Sequence, residues 1–164
     1  MRSKAAIAGH PIHPMLVPLP IGAFFLALVG DLVHLSGRDA FWYHLSFVAI
    51  GIGVVTALIA AVFGLIDLVG VPMGRSAHRL AITHAVLNVT IVVLYAVSWW
   101  MRRDDRALGN ASFTPAFGIA VLAFLMLGVS GWLGGELSYR HRVGVLGEEP
   151  APGSLTGEAS RASR

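Results

Sequence analysis

Four stretches free of charged side chains, Ala5 to Gly30, Leu45 to Ile66, Leu80 to Met101 and Ala107 to Gly135, are separated by short polar segments. About 20 apolar residues span a bilayer as a helix, so every stretch is long enough. The stretches are solidly apolar and do not alternate, which excludes a membrane barrel. Inside hydrocarbon only helices or closed barrels satisfy the backbone, so the pattern predicts an all-α integral membrane four-helix bundle. Its helices are expected at about 18–35, 41–69, 76–101 and 113–139, within one domain over 1–146. Pro18 and Pro20 suit a first helical turn, where a missing N–H costs nothing. Ser36-Gly37-Arg38-Asp39 makes a turn, and Gly70-Val71-Pro72-Met73-Gly74 ends the second helix. Trp99, Trp100, Arg102 and Arg103 read as an interfacial belt. Small residues four apart, Gly53, Ala57 and Ala61, then Gly131 and Gly135, predict close helix packing. From Gly147 onward Gly, Pro, Ser, Ala and Glu dominate, and 147–164 is expected to be a disordered polar tail.

Composition sharpens the picture. Hydrophobic residues make up 55% and charged residues 13% of the 164, and the mean hydropathy is +0.72. The absence of cysteine removes disulfides, iron–sulfur clusters and thiolate nucleophiles, leaving histidine as the strong soft-metal ligand. The net charge of +3 does not signal a nucleic-acid partner, because the basic residues flank the apolar runs and form no stripe. With alternating helices, the N-terminus, the loop after the second helix and the C-terminus share one end of the bundle, here end A. Arg2, Lys4, Arg75, Arg79, Arg140, Arg142, Arg161 and Arg164 lie there, against Arg38, Arg102, Arg103 and Arg106 at end B. That excess assigns end A, and both termini, to the cytoplasm. The apolar start is followed by further spans, unlike a cleavable leader.

Ionisable residues near membrane spans are functional candidates, with snorkelling helix ends as the plain alternative. End A gathers His10, His13, Asp67, His78, His84, Glu136, Tyr139, Arg140 and His141. In His10-Pro11-Ile12-His13-Pro14 each histidine precedes a proline, which favours extended backbone, and a three-residue polyproline repeat would point both imidazoles the same way. His84 is expected about one turn inside the third helix, with Asn88 and Tyr95 on its face. Asp67 and Glu136 close the second and fourth helices, where an acid opposes the helix dipole and needs compensation. The nearby histidines, Arg75, Arg79, Arg140 or a bound cation could supply it. The intervals from His13 to Asp67 and from His84 to Glu136 are nearly equal, so the two halves read as parallel helix-pair repeats that bring two histidines and two acids together. At end B, His34 and His44 flank a hairpin and are expected to be solvated.

The opening Gly9-His10-Pro11-Ile12-His13-Pro14-Met15-Leu16 and the closing Ser130-Gly131-Trp132-Leu133-Gly134-Gly135-Glu136-Leu137-Ser138-Tyr139-Arg140-His141 resemble the two signatures of an uncharacterised family of bacterial predicted membrane proteins. Gly64-Leu65-Ile66-Asp67 and His84 fit the same pattern, and the resemblance covers about residues 8–146. Arg142 stands where a small residue is more usual. Some members of that family carry a Rieske iron–sulfur domain after this module, which implies electron transfer for those members and a bacterial inner-membrane location here.

The expected function is a membrane redox module that binds haem b or a transition metal ion. His13 and His84 are the preferred axial pair, His10 and His141 are substitutes, and Arg140 is a propionate partner. For a bare metal the candidate ligands are His10, His13, His84, Asp67 and Glu136. Expected partners are the bilayer, an electron-transfer protein and a second copy of the chain. The alternatives are a proton-coupled transporter or channel subunit, or a structural partner in a membrane complex, with the polar cluster as a hydrogen-bond network. No hydrolase or transferase motif is present.

Overall fold

A computed structural model describes residues 3–103 and 113–145. The expected disordered tail, 147–164, and the polar loop at 104–112 lie outside the described residues. The chain opens with a two-stranded hairpin, β1 (Ala6–Ile7) and β2 (His10–Pro11), with Ile7 opposite His10. Its turn residues Ala8 and Gly9 have φ of 49° and 82°, the left-handed pair of a tight hairpin turn that glycine adopts without strain. The short helix α1 (Ile12–Leu16) runs almost directly into α2 (Pro18–Gly37). Pro14 and Pro18 fall in first turns, where helices leave N–H groups unused.

The remaining helices are α3 (Ala40–Gly70), α4 (Arg75–Arg102) and α5 (Phe113–Tyr139). Four spans are thus long and apolar enough to cross a membrane. The Asp39 carboxylate caps α3 by accepting from the Phe41 N–H at 2.8 Å. At the far end the Val71 N–H donates to the Asp67 carbonyl at 2.9 Å before the proline segment stops the helix. The bundle is two hairpins, α2 along α3 and α4 along α5, joined chiefly through α3 and α4.

All four long helices contribute to one apolar core: Phe24 and Ala27, Ala49 and Ile50, Ile91 and Tyr95, Ala120 and Ala123. At its centre the Phe24 and Tyr95 rings stack in parallel, 3.7 Å apart. Gly53 makes room for this stack, since a Cβ there would run into the Phe24 ring. Close approach between helices also occurs at Gly30, whose Cβ would lie 3.0 Å from the Trp42 carbonyl oxygen. By contrast Gly131 faces open space and Ala61 is exposed, so the expected small-residue packing holds only in part. Leu58, Val62 and Leu65 on α3, Val86, Val89 and Val93 on α4, and Leu122, Leu125 and Val129 on α5 point outward. An exterior so apolar along helices of membrane length faces lipid.

Candidate functional site: two anchored histidines

Polar side chains collect at both ends of the bundle and are separated by the apolar core. At end A, His13 sits on α1 with Nδ1 2.8 Å from the Ala60 carbonyl of α3. His84 sits on α4 with Nδ1 3.0 Å from the Ser130 carbonyl of α5. A carbonyl oxygen can only accept, so each imidazole carries a proton on Nδ1, and in the neutral form of the ring the lone pair is then on Nε2. Each ring also lies against a glycine one turn beyond its carbonyl. A Cβ on Gly64 would be 3.0 Å from the His13 ring, and one on Gly134 would be 3.2 Å from the His84 ring.

The two arrangements repeat each other: histidine and carbonyl are 47 residues apart in one half and 46 in the other. His84 is tied further. The Asn88 amide donates to the His84 carbonyl and to Ser130 Oγ, both at 2.7 Å. Ser130 Oγ in turn lies 3.2 Å from His84 Nδ1. His84 is nine positions past the start of α4, about two and a half turns, and so lies deeper than the sequence predicted.

The other predicted residues do not join this pair. His10 is exposed on β2, its ring nitrogen 3.1 Å from the carbonyl of Ala8 in the same hairpin. The polyproline arrangement expected for His10 and His13 is replaced by a strand followed by a helix, closed by the Ile12 N–H donating to Ala5 O at 2.9 Å. Glu136 pairs with Arg140 one turn later at 3.1 Å, which compensates its position at a helix C-terminus. His141 is half-buried, and its backbone N–H donates to the Glu136 carbonyl at 3.2 Å. Asp67 is saturated by the N-terminal segment. Its carboxylate accepts from the Lys4 N–H at 2.7 Å, from the Ala5 N–H at 3.1 Å and from the Ser3 hydroxyl, which lies 2.8 and 2.7 Å from its two oxygens. Among the described residues no three histidine or acidic side chains come together as a metal site.

End B holds a second cluster that the sequence reading missed. The Arg102 guanidinium makes a bidentate pair with Asp31, Nη1 to Oδ1 at 2.5 Å and Nη2 to Oδ2 at 2.7 Å. Nη1 also donates to Ser46 Oγ at 2.9 Å. The Tyr43 hydroxyl donates to the Arg102 carbonyl at 2.6 Å, and the guanidinium lies 5.5 Å from the centre of the Phe113 ring. The cluster around one ion pair between α2 and α4 thus also engages α3 and α5. Arg102, expected in an interfacial belt, is 2% exposed. His34, expected to be solvated, is buried, with Nδ1 donating to Asp39 O at 2.8 Å and its ring edge-on to Phe113. His44 is exposed, as expected. The available signal was spacing: His84, Asn88, Ile91, Tyr95, Ser98 and Arg102 fall on one helical face, and that face points inward.

Fold and surface together define a four-helix integral membrane protein with polar centres at its two ends. The chain belongs to the family described as "Predicted membrane protein (DUF2231)", whose model matches residues 9–147. No curated protein and no solved structure matches it significantly.

Proposed function

We propose that the protein is a redox module of the bacterial inner membrane that holds one haem b between His13 and His84. The observation that carries this reading is the matched anchoring of the two imidazoles, each with Nδ1–H on a backbone carbonyl of a neighbouring helix. Histidines that ligate metals are oriented by this kind of second hydrogen bond. A haem needs only two axial ligands from the protein, whereas a zinc-type ion takes three or four. A pair without a third ligand among the described residues therefore favours haem over a bare metal ion. When bound, the haem iron supplies one-electron chemistry. The chain orients both rings through Nδ1–H and sets both imidazoles against glycines. Arg140, whose side chain is exposed at the same end, is the cation for a propionate.

The reading places end A in the cytoplasm. Lys4, Arg75, Arg79, Arg140 and Arg142 lie there, while Arg102 at end B is buried and is no surface charge. A proton-coupled pathway is less well supported, because the layer of Phe24, Ile50, Ile91 and Ala123 separates the two polar ends. The test is an absorption spectrum of protein purified after expression with ample haem. A Soret band with narrow α and β bands on reduction, lost in His13→Ala and in His84→Ala, is the expected result. A folded, colourless protein would remove the reading.

A further inference from the structure

The two histidines are held by different means. His84 lies within a continuous helix of 28 residues, whereas His13 lies on a helix of five residues reached through the N-terminal hairpin. So short a helix has little stability of its own, and its position must come from tertiary contacts. A closed circuit of hydrogen bonds supplies them. The Asp67 carboxylate accepts from Ala5 N–H, Ala5 O accepts from Ile12 N–H, Ile12 precedes His13, and the His13 ring donates to Ala60 O, two turns before Asp67 on α3. The Lys4 side chain also packs over Gly70, where a Cβ would meet its Cγ at 2.8 Å.

A carboxylate at the C-terminal end of α3 is opposed by the helix dipole, and the donors that compensate it all come from Ser3, Lys4 and Ala5. Among the described residues the second half shows no such latch. Its acid, Glu136, pairs with the exposed Arg140 instead. We infer that Asp67 is a positioning residue that sets the His13 imidazole by latching the N-terminal hairpin to α3, and is not itself a metal ligand. This inference rests on the haem reading only for its functional meaning; the latch can be tested without haem.

The test compares full-length wild type, Asp67→Ala, Asp67→Asn and Ser3→Ala in detergent, first without haem and then with added haemin. In Asp67→Ala, loss of charge-assisted hydrogen bonds should speed amide exchange over residues 4–12 roughly tenfold or more, with α4 and α5 unchanged. Carbethoxylation of His13 by diethyl pyrocarbonate, followed by mass spectrometry, should accelerate while that of His84 does not. Haemin affinity should fall about 10- to 100-fold, with a shift from low-spin towards high-spin iron that added imidazole reverses. Asp67→Asn, which keeps one carbonyl acceptor, should fall between. If Asp67→Ala does not fold, Ser3→Ala must show the same changes at smaller size. Unchanged exchange over 4–12, or faster exchange with His13 reactivity unaltered, would overturn the inference. Failure of the haem reading is separately visible: wild type would bind no haemin, while the exchange and carbethoxylation results would still decide the latch.

Discussion

Gly64 and Gly134 matter for the space they leave, not for their backbone freedom. The Cβ positions that they lack would stand 3.0 and 3.2 Å from the two imidazoles, tighter than ordinary van der Waals contact. Gly64→Ala and Gly134→Ala should therefore each push a ring off its carbonyl while leaving the helices intact. We expect helical circular dichroism close to wild type and haemin affinity lower by about tenfold or more. Gly131→Ala, at a site with open space around it, is the control and should bind like wild type. The equivalent places of His13 and His84 were legible from the two similar halves. Their carbonyl partners were not, because a backbone oxygen leaves no mark on the amino-acid pattern.

Between elements, the dominant polar contact is the Asp31–Arg102 pair, both side chains almost completely buried. Removing one partner leaves an uncompensated charge in the bundle and costs about 3–5 kcal/mol, whereas replacing both with apolar residues is often close to neutral. Arg102→Met should therefore lower the unfolding midpoint strongly, and Asp31→Leu combined with Arg102→Met should recover much of the loss. A double-mutant cycle by thermal or denaturant unfolding in detergent checks this. The pair escaped sequence reading for a physical reason. Its members are 71 residues apart and stand at the edges of charge-free runs, where charges usually snorkel to the interface. The same ambiguity hid His34, which the chain reversal at Arg38, φ 54°, folds back against α3 and Phe113. The helices themselves were plain, because an unbroken apolar run of that length has few other solutions.

For the whole molecule, the two-hairpin plan agrees with the near repeat of histidine, helix, loop, helix and acid in the sequence. The halves diverge at the acids, since Asp67 binds backbone amides and Glu136 an arginine. An isolated comparison of residue types could not separate those roles. The excess of basic side chains at end A leads to a topological expectation. An enzyme reporter active only outside the cytoplasm should stay silent when fused at either terminus and become active when inserted between α2 and α3.

The depth of the histidine pair carries an electrical consequence. With a rise of 1.5 Å per residue, α4 is about 42 Å long and overhangs a hydrocarbon core of about 30 Å by roughly 6 Å at each end. His84, about 14 Å from the helix start, then lies roughly 8 Å inside the low-dielectric slab, and Ala60, the anchor of His13, is at similar depth on α3. A charge arriving there from end A crosses about a quarter of the membrane voltage, worth on the order of 0.6 kcal/mol per 100 mV. A carrier in this seat would have its reduction potential biased by the energised state of the membrane, by roughly 25 mV for each 100 mV.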